Sequence, residues 1–510
     1  MPRTLSLSVL DQFGARAYVR LAVIWPFDNS RETDAIAKIR NGLQCAFTCY
    51  PYLAGNVVET CNQAGEPSGY VELHYPDRID EPNEPQFRVN HLSKKEFPYT
   101  YEELDAEGVP GTKLPNELLT KTANIPDLTK PQPAVTITLN FIEGGLILHV
   151  SFLHIIGDGT GMGLLLNRFC RDVRLRTDPN SVVREDIQAR SPPLLINSPL
   201  PRNKGTTRIA APIGWKEVIE PVAPFPLASP ILVPPLTGAR IFTFSDDFLK
   251  ELRERLNGFG NFSPDYITKT DCVNALLWFY VTRARFSNQS YPFGNTTHVT
   301  AVNIRSRIGQ HLLGTYTGNA TMLAQTTTPI EEFLLLNGTS SDESSEGSPS
   351  ATSSPIPIRR DSQIAELHGV SNFKLENTST IEVLRTLSKA ATQVHECVRR
   401  VDDRFVQERL SFFATTSPKY ARYSFRNYLG PDFFLTSWAG FGADTEWGIP
   451  GTLTKHPAWI RKPYLPDDGS SVILPRRKDA PWEVWVQLKE EHLEKLSQMD
   501  SLGGWADRVV

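Results

Sequence analysis

The sequence predicts an α/β protein built as two layered domains. Three observations carry that expectation. Strand-like and helix-like segments occur in both halves, a proline-rich stretch separates halves of similar size, and there is enough apolar material for large cores. Of 510 residues, 40% are hydrophobic and 22% charged, which excludes a chain disordered throughout.

In chain order, residues 16–25 and 135–141 read as strands, being rich in β-branched and aromatic side chains. Residues 30–47 read as a helix, because Ile36, Ile39, Leu43 and Phe47 recur at three- and four-residue spacing. Residues 145–153 are apolar on both alternating faces, which marks a strand buried on both sides. Gly157, Gly159, Gly161 and Gly163 are then expected to break it, before a helix opens at Leu164. In 271–285, Asp271 stands in the first turn, Val273, Leu276, Leu277, Tyr280 and Ala284 form one helical face, and arginines close the end. Residues 481–488 read as a strand, with a charged helix over 489–499.

The expected domains are 1–190 and 236–510, joined by a crossover at 191–235. Eleven of the 39 prolines fall in that crossover; proline fixes φ and lacks a donor, so the stretch is neither a central strand nor a helix interior. Residues 337–355 hold eight serines and no large apolar side chain, so a disordered insert is expected there.

Charge and cysteine content exclude several classes. The 53 Lys+Arg against 57 Asp+Glu are spread without a basic block, so no nucleic-acid partner is expected. The six scattered cysteines make no disulfide framework, and Cys45 and Cys49, lacking further ligands nearby, make no metal site. There is no signal-peptide core and no apolar run long enough to span a bilayer. A soluble, intracellular, reduced protein is expected.

The chemical segment is 145–173. Leu146, Leu148, Val150, Phe152 and His154 share one strand face, while Ile147, His149, Ser151 and Leu153 share the other. His154 ends a buried strand before a glycine-rich turn, where strand and helix hold it and the turn leaves room beside the ring. An imidazole there suits a general base. Asp158 supplies a carboxylate to fix the turn by binding an arginine. His149, on the opposite face without flanking glycines, reads as a structural histidine. No GxGxxG, GxxxxGK[ST] or GxSxG pattern occurs, so nucleotide cradles and serine-hydrolase elbows lack support.

His154-Ile-Ile-Gly-Asp158-Gly159 fits HxxxDG, and with it the chain resembles the BAHD acyltransferases, in their fungal trichothecene 3-O-acetyltransferase-like branch. Further matches follow in the family's order: Leu10-Asp11-Gln12, Tyr50-Pro-Tyr-Leu-Ala-Gly55, the 271–285 helix, Val302-Asn-Ile-Arg305-Ser-Arg307, Tyr316-Thr-Gly318-Asn319 and Thr436-Ser-Trp438. The family's DFGWG stands here as Asp444-Thr-Glu-Trp447-Gly448, without its Phe and middle Gly, which puts local packing in question more than chemistry.

The resemblance implies two pseudo-symmetric chloramphenicol-acetyltransferase-like domains with mixed β-sheets and a central channel. An acyl-CoA co-substrate enters from one face and a small hydroxyl acceptor from the other, with no permanently bound cofactor. It implies His154 as base, Trp438 as oxyanion donor and Thr436 as acceptor contact. Thr268, Lys269, Thr270, Tyr316, Gly318 and Asn319 are implied near the cofactor, and Asp444 in a structural pair with an arginine of the strand carrying Arg305 and Arg307. A cytoplasmic monomer is expected. Two rivals stay open: a carrier-protein-dependent condensation-type acyltransferase, although Leu153 stands where that class has a second histidine, and an inactive fold relative acting as a binding protein.

Overall fold

Five strands form the sheet that carries His154. Across it lie Trp459–Arg461, Tyr18–Pro26, Gly145–Leu153, Val135–Ile142 and Phe87–His91, antiparallel except for the last pair. This computed structural model describes residues 2–5, 7–123, 125–184, 218–219, 236–260, 266–286, 294–308, 315–334, 378–418, 422–423 and 425–510. The insert at 337–355 and, apart from the Val218–Ile219 strand, the crossover at 191–235 lie outside them.

Gly145–Leu153 is buried along its whole length, as an apolar run on both faces requires. Its Leu146, Leu148, Val150 and Phe152 face helices Glu32–Cys49 and Gly159–Leu175, joining Ile39, Leu43, Phe47, Leu165 and Phe169 in one core. On the other side Ile147, with Ala22 and Ile24, meets Phe97, Leu104, Val109, Leu114 and Leu119. Filling both faces locks the register that brings Leu153 opposite Tyr18, and therefore His154 opposite Ala17.

A second, seven-stranded mixed sheet is ordered Thr321–Pro329, Asn295–Asn303, Phe433–Ser437, Ser470–Ile473, Trp482–Lys489, Thr237–Phe244 and Arg508–Val509. Helices Asp246–Phe259, Lys269–Phe286 and Thr378–Arg399 pack with it. Lys269–Phe286 spans the helix expected at 271–285, but it is buried all round from Cys272 to Thr282 rather than on one face. Other helices flank it as well as the sheet, so no side is left for water. A smaller sheet of Arg3–Leu5, Pro67–Tyr75, Asn56–Cys61 and Gln132–Pro133 was not foreseen from the sequence.

The two larger sheets are tied by one short strand. Trp459–Arg461 comes from the C-terminal half, yet pairs with Tyr18–Pro26 in the His154 sheet. Its Arg461, 1% exposed, donates to both carboxylate oxygens of Glu483 at 2.8 and 3.0 Å, on a strand of the seven-stranded sheet. A part-buried bidentate pair of this kind is directional, so it helps fix how the sheets face each other.

Two histidines in these sheets have no exposure, His149 and His298. His149 is pushed down to about 3 by burial, with the Arg20 charge adding, and His298 to about 3 by burial. Unfolded, both take up a proton near pH 6.5. Their contribution to stability is therefore full above about pH 6.5 and falls as pH drops toward 3, because only the unfolded chain binds the protons there. The slope is up to about 1.4 kcal/mol per pH unit for each histidine. Urea midpoints should fall between pH 7 and pH 5, and a flat profile would mean that neither imidazole is kept neutral by the fold.

Candidate active site

His154 follows Gly145–Leu153 directly and opens a short 3₁₀ turn, His154–Ile156. Its backbone N–H donates to Ala17 O at 2.9 Å, which continues the pairing with the Tyr18–Pro26 strand by one residue. The ring is half-buried, and its Nδ1 is enclosed with no hydrogen-bond partner among the described residues. The imidazole thus presents Nε2, rather than Nδ1, to a reactant in front of it. His149 differs: it is sealed in the interior, with Nε2 at 3.3 Å from Asn116 Oδ1.

Asp158 does not face the imidazole. It is the N-cap of Gly159–Leu175, where Oδ1 accepts from Gly161 N at 3.0 Å. Arg305 closes on it with two bonds of 2.9 Å, and Ala320 N and Thr321 Oγ1 donate to Oδ2 at 2.8 and 2.9 Å. Burial alone would raise this carboxyl, but the Arg305 guanidinium and the two backbone N–H groups outweigh it and hold it below its ordinary value. Arg305 also donates to the carbonyls of Tyr316 and Gly318, at 3.0 and 2.8 Å from Nη2. One ion pair therefore clamps the residues after His154 to the 316–321 segment.

The helix after the turn starts earlier than its composition indicates. Gly159, Gly161 and Gly163 lie inside Gly159–Leu175, not in a loop before it. Glycine is a poor helix former, but here the Asp158 cap starts the helix and a close approach excludes any side chain. A Cβ on Gly161 would stand 2.0 Å from Thr317 O, and one on Gly157 2.3 Å from the same oxygen. Thr317 cannot retreat freely, since its Oγ1 is hydrogen-bonded to Tyr52 Oη at 2.6 Å. Gly161→Ala should therefore cost about 1–3 kcal/mol of stability, as overpacking does. An unchanged urea midpoint would show that the Thr317 carbonyl is free to move.

The pairing expected of Asp444 is not found. Arg305 is taken by Asp158, Arg307 donates to the Val398 and Val401 carbonyls at 2.6 and 3.1 Å, and Asp444 accepts from Lys478 N at 3.0 Å. The reason is competition: Asp158 offers Arg305 a buried carboxylate framed by carbonyls that use its remaining donors. The altered motif still packs, with Trp447 edge-on to Trp25 and Phe169 at centroid distances of 5.7 and 5.2 Å.

Trp438 is 8% exposed and stacks on Phe441, whose ring lies 3.5 Å from a Cβ built on Gly159. Its indole N–H has no acceptor among the described residues. Thr436, on the Phe433–Ser437 strand, is half-buried. Most of the residues expected near the cofactor also bond within the frame. Thr268 Oγ1 donates to Asp271 Oδ2 at 2.8 Å in front of Lys269–Phe286, and Lys269 Nζ reaches Asp246 Oδ2 at 2.6 Å. Thr268 and Thr270 are both exposed. Tyr316 is 1% exposed, and Asn319 donates from Nδ2 to the His154 and Ile155 carbonyls at 3.0 Å each. Asp11 is drawn into this network through Asn319, a role that Leu10-Asp11-Gln12 does not reveal as a sequence. No group of three or more His, Cys, Asp or Glu among the described residues is arranged to hold a metal ion.

Comparisons with known proteins bear on the family and the fold. The Trichothecene 3-O-acetyltransferase-like N-terminal domain matches residues 17–172, and the Transferase family matches 106–337 and 370–502. An Emericella nidulans protein named acyltransferase easC is 23% identical over 520 residues, covering 96% of this chain and 92% of that one. The trichothecene 8-O-acetyltransferase of Fusarium sporotrichioides is 23% identical over 541 residues, covering 99% and 98%. Among solved structures, F. graminearum TRI101 complexed with coenzyme A and deoxynivalenol superposes with a TM-score of 0.70 at 18% identity, over 97% of both chains. Vinorine synthase gives 0.54 at 16% identity, over 99% of this chain and 94% of its own. The fold implied by HxxxDG and its companion motifs is thus the fold found, and the family's pattern extends over well more than half of the sequence: the chain belongs to the Transferase family, the BAHD-type acyltransferases, and is an acyltransferase.

Proposed function

We propose that the chain transfers an acyl group, acetyl in the first instance, from a CoA thioester to a hydroxyl of a small specialised metabolite, with His154 as general base. The observation that carries this reading is His154 itself. It stands at the end of a strand buried on both faces, in a turn clamped by Asp158 and Arg305, with Nε2 as its open nitrogen. A thioester is already activated, so the reaction needs only a base for the alcohol and a donor for the oxyanion. His154 takes the hydroxyl proton as the oxygen attacks the thioester carbon, and returns it to the departing thiolate. No acyl-enzyme forms, so both substrates are bound together. Trp438 donates its indole N–H to the tetrahedral oxyanion, and Thr436 contacts the acceptor. Asp158, Arg305, Arg307 and Asp444 act on the frame.

Relatives named as acyltransferases and O-acetyltransferases, and neighbours solved with coenzyme A, support the donor. Thr268 and Thr270 are the exposed residues among those proposed near the cofactor, and Lys269, paired with Asp246 Oδ2, keeps further ammonium N–H donors for a phosphate. We take the active form as a cytoplasmic monomer of two domains, 1–190 and 236–510, with the channel between them. Among the described residues no helix is long and apolar enough to cross a membrane.

Calorimetric titration with acetyl-CoA, free CoA and longer acyl-CoAs tests the donor without knowledge of the acceptor. Saturable binding of acetyl-CoA is expected. A folded protein that binds none of them would remove CoA from the reading and bring the carrier-protein alternative forward.

A further inference from the structure

In this turn the imidazole has no side-chain clamp. Asp158, the nearest carboxylate in sequence, is turned toward Arg305, and His154 Nδ1 meets no partner among the described residues. The ring's position therefore depends on its own backbone, and the structure shows what holds that backbone. The N–H of His154 is tied to Ala17 O, while its carbonyl and that of Ile155 both accept from Asn319 Nδ2.

Asn319 is in turn set by Asp11, which is 1% exposed. Asp11 Oδ1 accepts from Asn319 N at 2.8 Å and from its Nδ2 at 2.9 Å, while Oδ2 accepts from Ser8 N at 3.0 Å. The chemistry of this contact decides which way the amide points. A carboxylate only accepts, so it draws Nδ2 toward itself and toward the two carbonyls beyond. With the amide flipped, Oδ1 would face three oxygens. The space leaves no alternative support: a Cβ on Gly14 would already lie 3.3 Å from both Asn319 Nδ2 and His154 O.

We propose that Asp11 and Asn319 are positioning residues for His154, Asp11 fixing the orientation of the Asn319 amide and that amide fixing the backbone from which the base projects. The proposal rests on the reading of His154 as the base. It gives Leu10-Asp11-Gln12 a role in the reaction and moves Asn319 from cofactor contact to support of the base.

The test is steady-state release of CoA thiol from acetyl-CoA to water, read with a thiol reagent, beside calorimetric binding of acetyl-CoA and thermal unfolding. Asn319→Ala and Asp11→Ala should each lower kcat by about 10–100-fold, the scale of a small misplacement of a reacting group. KM and acetyl-CoA affinity should stay within about twofold, since nothing that touches the donor has changed. The double variant should be no slower than the slower single one, because the proposed route from Asp11 to His154 runs through Asn319. Should an alanine variant fail to fold, Asn319→Leu removes the donor at nearly constant shape and without a new charge beside Asp11, and should still lower kcat at least about tenfold. The proposal is overturned if kcat stays within twofold in Asn319→Leu or Asp11→Ala, if the two losses multiply, or if the loss lies in KM and affinity, as a cofactor contact requires. His154→Ala, run in parallel, separates the two claims. If it retains turnover, the base assignment falls and takes this proposal with it; if it is inactive while Asp11→Ala is not, only the positioning role falls.

Discussion

Replacing His154 by alanine should lower turnover by about 10²–10⁴-fold while acetyl-CoA binding is kept. The size follows from what the ring supplies. At pH 7 an alcohol is a weak nucleophile, and the barrier falls when its proton leaves as the new C–O bond forms. What remains in His154→Ala is binding, orientation and oxyanion stabilisation, which still leave catalysis above the rate in water. The ring is half-buried and makes no hydrogen bond to another described residue, so its loss should disturb the fold little. The experiment compares kcat, acetyl-CoA affinity and the melting temperature of the two proteins. Full turnover in a folded His154→Ala protein would assign the proton transfer to another group. Parallel rather than intersecting reciprocal plots would point to an acyl-enzyme, for which the proposed mechanism has no place.

How far the sequence discloses this site depends on how local each cause is. The 145–153 strand is legible because burial on both faces leaves an uninterrupted apolar run, and the run alone locates His154 at its end. Helix Glu32–Cys49 is legible from Ile36, Ile39, Leu43 and Phe47 for the same reason. Strand Trp459–Arg461 is not, since three residues are too few for a pattern and their place is set by Arg461 reaching Glu483 across the sheets. The helical glycines mislead because propensity speaks against them, whereas the deciding contact, Thr317 O against Gly161, comes from a segment more than 150 residues away. Arg305 shows the same limit. The resemblance to VNxRxR singles out Arg305, which lies in the turn just after strand Asn295–Asn303, but is silent on which of Asp158 and Asp444 it meets. Asn319 belongs here too: the motif is visible in the sequence, but its use for the His154 carbonyl appears only in three dimensions.

Arg305→Ala is the substitution expected to cost most in stability. It leaves Asp158, 3% exposed, as a buried carboxylate without its counter-charge, and one-sided removal of a buried ion pair typically costs about 3–5 kcal/mol. The loss extends beyond the pair, because the guanidinium also donates to the carbonyls of Tyr316 and Gly318 and so holds the segment that carries Thr317 and Asn319. Asp158→Asn is the complementary case. It keeps the shape and one acceptor oxygen but leaves Arg305 charged and unbalanced, so it too should destabilise, by less than the alanine. Both should lower kcat by up to about 10²-fold through a displaced His154 turn, without either residue touching substrate. The double variant Asp158→Asn with Arg305→Met decides whether charge or packing dominates. With no buried charge left, it should recover part of the stability lost in Arg305→Ala. Urea midpoints and kcat for the three proteins are the measurement. Should the double variant instead be less stable than either single one, the Arg305 hydrogen bonds to the Tyr316 and Gly318 carbonyls, rather than its charge on Asp158, would be what holds the two halves of the site together.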